Sequence, residues 1–341
     1  MNFSTGLVVL LAAVALSFGL LLCVMPLLKR HALAKPNARS SHKTPTPQGG
    51  GIAVIAATIV VAGAAALLRT DVDDMLQLAA VFAAAAGLAV VGATDDLRPL
   101  EALPRLLLQA VAVAAVTAAL PSEMRFLPWL PWWVDRAVVF VGGVWLVNVV
   151  NFMDGIDWMT VVEVIPVTAG LAVLGLMGVL PPVATFVALA LCGAVIGFAP
   201  FNQPVARLFL GDVGSLPIGL LLAWLLALLA GNGALAAALL LPLYYVADAT
   251  VTLVRRLAGG EPITQAHRSH FYQRALDGGM SVYRIVASVF GLNVVLAMLA
   301  ALTVTFPSVA IQGAALAAGA ALVSITLFTF GRAGLATASR G

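Results

Sequence analysis

Charge is scarce in this sequence. Of its 341 residues only 10% are Asp, Glu, Lys or Arg, against 62% hydrophobic, where soluble domains carry roughly a quarter charged residues. That balance, with a mean hydropathy of +1.06, excludes a water-soluble globular protein and indicates an integral membrane protein. Cysteine is nearly absent. Cys23 and Cys192 both fall in apolar runs, which excludes a disulfide framework and makes both packing residues. No stretch is polar enough for a soluble domain. The net charge is only +3, which fits lysines and arginines gathered on one side of a membrane; no nucleic-acid partner is expected. The first residues, MNFSTG, carry no positive charge, and the basic cluster follows the first apolar run. That order predicts a retained span with its N-terminus outside, not a cleaved signal peptide.

What is present is a succession of apolar runs. A spanning helix needs about 20 mostly apolar residues. The sequence predicts eleven: 6–28, 51–69, 76–94, 105–120, 137–153, 160–180, 182–200, 214–231, 234–254, 284–305 and 309–331. The expected fold is therefore all-α, a polytopic helical bundle in the membrane. Most basic residues follow odd-numbered spans, from Lys29 and Arg30 to Arg332, while the even side holds Arg69, Arg125 and Arg136. The positive-inside rule puts the odd-numbered loops and the C-terminus in the cytoplasm. On the even side, Trp129, Trp132 and Trp133 read as an interfacial aromatic anchor.

The polar chemistry gathers on the basic side. All four histidines, His31, His42, His267 and His270, lie there. So do Asp95 and Asp96 in VVGATDDLRPL, the segment NVVNFMDGIDWM and Asp212 in LFLGDVGSLPIG. Asp95 and Asp96 end the third span, and adjacent helical residues point about 100° apart, so the pair suits divided roles better than chelation of one metal. A solvated pair answering Arg98 is the alternative. Asn148, Asn151 and Asp154 recur every three residues, a spacing that lines one helix face and suits hydrogen bonding to a nucleotide or sugar. Gly155 would let the chain leave the helix there. Asp212 stands between Gly211 and Gly214, open to a hard cation such as Mg²⁺; the alternative makes it the cap of the eighth span, with Ser215 also able to cap. In QAHRSHFYQRALDGG, His267, Arg268, His270 and Arg274 form a phosphate grip. Asp248 is an intramembrane carboxylate, functional or paired with Arg255 or Arg256. KPNARSSHKTPTPQGGG offers His42, Lys43 and backbone amides to an anion, or serves as a linker. Together these stretches present carboxylates and phosphate-binding cations to a substrate that is itself half lipid.

Five of them, PNARSSHKTPTPQGGG, GATDDLRPL, NVVNFMDGID, FLGDVGSLPIG and HRSHFYQR, together resemble the polyprenyl-phosphate N-acetylhexosamine-1-phosphate transferase family, in family order from about residue 36 to 274. Eleven spans and HRSHFYQR in place of a triple histidine are similar to its O-antigen type, sugar-transferring branch; Lys35, where an acidic residue is expected, departs from the pattern. The resemblance implies a Mg²⁺-dependent enzyme (Mn²⁺ being able to substitute) that transfers a sugar 1-phosphate from a UDP-N-acetylhexosamine to undecaprenyl phosphate, releasing UMP. It implies Asp212 as principal metal ligand with Asp95 in support, and Asp95 and Asp96 at the lipid phosphate. His267, Arg268, His270 and Arg274 would take the diphosphate, and Asn148, Asn151 and Asp154 the nucleotide or sugar. Residues 1–341 would form one transmembrane catalytic domain in the bacterial inner membrane, surrounded by membrane lipids and able to form a homodimer. Its cytoplasmic active-site loops would lie near 29–50, 95–104, 154–159, 201–213 and 257–283. The rival class is an ion-coupled transporter, which would keep its polar groups near the bilayer midplane.

Overall fold

A computed structural model describes residues 3–34, 45–68, 72–262 and 267–338. Among them the chain is nearly all helix: α1 (Phe3–His31), α2 (Gly51–Leu67), α3 (Val72–Leu97), α4 (Ala102–Ala118), α5 (Trp132–Met153), α6 (Met159–Leu176), α7 (Pro182–Phe198), α8 (Asp212–Gly231), α9 (Leu235–Leu240), α10 (Leu243–Ala258), α11 (Phe271–Asp277), α12 (Val282–Thr305) and α13 (Val309–Ala338). Seven of these are long and apolar enough to cross a membrane, and α2, α4 and α7 are shorter apolar helices of 17 residues. The protein is a multi-pass helical membrane protein.

The bundle is built around α8, which touches α2 to α7 and α9. Its sequence is apolar on every side, as a helix without a wet face must be, and most of it is buried, Leu220, Leu221 and Leu225 completely. Outer helices instead expose large side chains, such as Leu7, Val8 and Leu11 on α1 and Ile325 and Phe328 on α13, which is the surface lipid covers. Where the predicted ninth span stood, the helix is broken. Pro242 has no N–H to continue the ladder, so the run divides into α9 and α10. The short α11 lies outside any predicted span and packs against α13.

Glycine sets the closest approaches. A Cβ on Gly51 would strike the Gly214 backbone, and one on Gly92 would strike the backbone of Asp212 and Val213. The start of α8 is therefore pressed between the start of α2 and the end of α3. The loop before α2 is tied to the same place. Strands β1 (Leu33–Ala34) and β2 (Thr46–Pro47) pair antiparallel. Beyond β2, Gln48 bridges Phe209, while the Gly50 and Gly51 N–H groups donate to the carbonyls of Phe209 and Leu210. At the opposite end, Trp129, Trp132 and Trp133 are exposed. Buried Asp135 there accepts from the N–H groups of Phe126 and Leu127.

Candidate active site

The end of α3 and the start of α8 bring three carboxylates together. Asp96 accepts from the N–H of Asp212 at 2.9 Å and of Val213 at 3.1 Å. These belong to the first turn of α8, whose N–H groups have no partner within the helix. Asp96 is thus the cap of α8, delivered from a neighbouring helix, and the nearby charge suits the positive end of the helix dipole. Asp212 is the first residue of α8 after Gly211 at φ 77°. Ser215 does not cap the helix either, being buried inside it. A side chain at position 211 would meet the Asp96 carboxylate, so glycine there serves both the left-handed turn and the cap.

Asp212 is left facing the site. Its Oδ1 accepts from Asn151 Nδ2 at 2.8 Å, its carboxyl touches that of Asp95, and its Oδ2 lies 3.7 Å from Arg105 Nη1. Asp95 in turn accepts from Arg105 at 2.8 Å and from the Leu100 N–H at 2.6 Å. The basic partner of the acidic pair is Arg105 on α4, where the sequence had offered Arg98. Arg105 and Gln48, which donates to the Asp96 carbonyl at 2.6 Å, were not among the predicted site residues. Arg105 left one signal, a cation in an otherwise apolar first turn of a span just after the paired aspartates.

The Asn148, Asn151 and Asp154 series runs along α5 but reaches three different helices. Asn151 also donates to Ser215 Oγ at 3.0 Å, while Asn148 donates to Gln109 of α4 and to the Val144 carbonyl, each at 2.8 Å. Asp154, the residue after α5, accepts from Thr160 at 2.5 Å. Burial pushes its carboxyl up to about 6, helped by the charges of Asp96 and Asp157 and opposed by Thr160. The folded protein therefore binds this proton more tightly than the unfolded chain. Stability from Asp154 is present at low pH and lost as pH rises through about 6, by about 3 kcal/mol at most. Asp154→Asn should flatten this part of the profile, so its melting temperature should hold between about pH 4 and 6 (the span of the shift) where the wild type declines. Parallel declines in thermal scans would count against it. Gly155 has no left-handed backbone; it is small because Tyr272 presses on it, and a Cβ would overlap the Tyr272 hydroxyl.

The same contact brings in the histidine segment. Tyr272 donates to the Phe152 carbonyl at 3.3 Å, which seats the start of α11 on the end of α5. His270 is buried with Nδ1 3.2 Å from Asp248. His267 is half-buried, its Nδ1 2.9 Å from Ser269 Oγ. Burial lowers its ring to about 4, with His270 and Arg256 adding to the effect, so it is neutral near pH 7 and offers hydrogen bonds, not charge. Arg268 pairs with Asp277 at 2.9 Å, and Arg274 lies on α11 where its backbone meets Gly334 of α13. Arg255 donates to the Ser269 carbonyl at 2.8 Å and Arg256 pairs with Glu261 at 2.8 Å. His42 and Lys43 lie outside the described residues.

Among the described residues no group of three or more His, Cys, Asp or Glu side chains has metal-binding geometry. Asp95 and Asp212 nevertheless fit a hard divalent cation. They are two carboxylates in mutual contact, with oxygen donors of the kind Mg²⁺ takes one or two of, and the guanidinium of Arg105 already answers both. Asp96 is committed to the backbone of α8.

Residues 78–230, which contain Asp95, Asp96, Asn151, Asp154 and Asp212, match the family model of glycosyl transferase family 4. The phospho-N-acetylmuramoyl-pentapeptide-transferase of a Synechococcus strain is 30% identical over 80% of this chain and 85% of its own length. The chain belongs to glycosyl transferase family 4. The probable undecaprenyl-phosphate N-acetylglucosaminyl 1-phosphate transferase of Bacillus subtilis is 26% identical over 76% of the chain and 75% of its own length. The decaprenyl-phosphate N-acetylglucosaminephosphotransferase of Mycobacterium leprae is 29% identical over 81% and 77%. Membership makes the chain a transferase and leaves the transporter reading without support.

Proposed function

We propose that this protein transfers N-acetylhexosamine 1-phosphate from a UDP-N-acetylhexosamine to undecaprenyl phosphate in the bacterial inner membrane, with its site on the cytoplasmic face. The observation that carries the reading is the Asp95–Asp212 pair, in contact beside Arg105 where α3, α4, α5 and α8 meet. Relatives named for N-acetylglucosamine 1-phosphate transfer to polyprenyl phosphates support the substrates, and the distribution of lysine and arginine supports the side.

In the reaction an oxygen of the lipid phosphate attacks the sugar-bearing phosphorus of the UDP-sugar. The bond from that phosphorus to the bridging oxygen breaks, and its electron pair leaves with UMP. Such a transfer needs positioning and charge neutralisation more than covalent help. Asp212 and Asp95 would hold Mg²⁺, which when bound supplies positive charge to the diphosphate oxygens. Asn151 fixes the rotamer of Asp212 and Asp96 fixes its backbone. Arg105 keeps the two carboxylates together and offers its remaining donors to phosphate. Asp154 and Asn148 stand on the nucleotide or sugar side, and the α11 segment on the diphosphate. The product would begin an O-antigen or another cell-surface polysaccharide.

The test is UMP release by purified protein with undecaprenyl phosphate, Mg²⁺ and a panel of UDP-sugars. One N-acetylated sugar should give sustained release that EDTA abolishes. Absence of lipid-dependent UMP from every sugar would overturn the reading.

A further inference from the structure

Pro166 stands inside α6, four residues after Val162. Proline has no N–H, so the Val162 carbonyl loses its partner within the helix, and inside a membrane no solvent replaces it. The donor comes from α12, which packs against α6. Asn293 Nδ2 lies 3.2 Å from the Val162 carbonyl and 2.6 Å from Oε2 of Glu163. A carbonyl can only accept, so the end of the Asn293 amide that faces it is the nitrogen, and both amide hydrogens are used. Two oxygens are left over. Glu163 Oε1 and Asn293 Oδ1 are buried with no hydrogen-bond partner among the described residues.

No cation answers the carboxyl either. Glu163 is 1% exposed and has no ion pair among the described residues. Helices α6 and α7 carry no lysine, arginine or histidine. On α12 the one basic residue, Arg284, stands nine residues before Asn293, about 13 Å along the helix. On α10, Tyr244 and Tyr245 are the titratable groups beside Glu163, and phenols bring no charge near neutral pH. Arg255 and Arg256 lie at the far end of that helix, where they meet Ser269 and Glu261. An ionised carboxylate alone in such a place is costly, and it would leave both spare oxygens without a donor. A single proton on Oε1 removes the charge and gives Asn293 Oδ1 its donor. Acid and amide are then joined by two hydrogen bonds, each group donating one.

We propose that Glu163 is a proton-binding site inside the membrane, its carboxyl held as the neutral acid whose Oε1–H donates to Asn293 Oδ1, and that this acid–amide pair clasps α6 to α12. The clasp lies one turn beyond Thr160, which donates to Asp154 at 2.5 Å, so it fixes the start of α6 where that helix meets the site. Neither the proton nor the clasp depends on the transferase reading.

Infrared spectroscopy of the purified full-length protein tests the proton. Of the four glutamates, Glu101, Glu123 and Glu261 are exposed and Glu163 alone is buried. With ¹³C-labelled glutamate near neutral pH, one isotope-shifted stretch of a protonated carboxyl should appear, and Glu163→Gln should remove it. Asn293→Leu should move that band to higher frequency, because it takes away both hydrogen bonds of the acid. Glutamate bands of carboxylate alone would overturn the proposal and make a bridging water the donor to both oxygens. Thermal melting tests the clasp. Gln at 163 carries an acceptor and a donor like the neutral acid, so Glu163→Gln should melt with the wild type. Glu163→Leu should lower the melting temperature by several degrees, and in an Asn293→Leu background it should cost much less. Additive losses, or a Glu163→Gln protein as unstable as Glu163→Leu, would overturn the clasp. A wild-type protein that turns over no UDP-sugar would defeat the transferase reading and leave these measurements unchanged.

Discussion

Asp212→Asn should reduce UMP release by about three orders of magnitude while leaving the protein extractable and folded. The substitution keeps the size of the side chain, and an Asn oxygen can still accept from Asn151 Nδ2. What it removes is the ionisable oxygen that faces Arg105, and with it the ligand proposed for Mg²⁺. The cap of α8 is untouched, because Asp96 supplies it through the N–H groups of Asp212 and Val213. A folding defect is therefore not expected, and thermal melting should lie within about 1 kcal/mol of wild type. Two measurements decide the matter. One is the UMP assay at saturating Mg²⁺. The other is stabilisation by Mn²⁺ in a thermal-shift titration without substrate, which should be present in the wild type and lost in Asp212→Asn. Near wild-type release would remove Asp212 from the metal site. An unchanged Mn²⁺ response with lost activity would move the metal to other ligands.

Gly92→Ala should be nearly as damaging although the residue carries no chemistry. An added Cβ would overlap the Asp212 carbonyl and the Val213 nitrogen, backbone atoms that cannot rotate away. Overpacking ordinarily costs about 1–3 kcal/mol, and here relief requires α3 and α8 to part at the point where Asp96 reaches across. The expected result is a destabilisation of about 3 kcal/mol and a fall in kcat of roughly a hundredfold, the consequence of an ångström of misplacement. Gly87→Ala is the matched control. It lies on the same helix with nothing within 4 Å of an added Cβ, and should be neutral or slightly stabilising, since Ala is the better helix former. Equal behaviour of the two variants in melting and in the UMP assay would refute the argument from close packing.

By itself the sequence determined the membrane setting, the all-helical class and the family. Apolar runs of spanning length and a one-sided distribution of basic residues are local properties, set by what lipid and water accept. It also singled out Asp95, Asp96, Asn151 and Asp212 as chemically significant, because a carboxylate or amide among apolar residues is costly and calls for a reason. It did not reveal which group answers which. Asp96 and Asp212 are 116 residues apart, and only the crossing of α3 on α8 makes one the cap of the other. The same holds for Arg105, which local charge pairing would pass over in favour of Arg98. It holds for Asp248, which accepts from the first N–H groups of the helix at 271–277, while Arg256 of its own helix pairs with Glu261. Gly155 looked like a helix terminator and proved to be space for Tyr272. In each case the deciding quantity is a distance between segments far apart in the chain. Periodicity and composition carry no such distance; it exists only once the helices have packed and the buried donors at their ends have had to find acceptors.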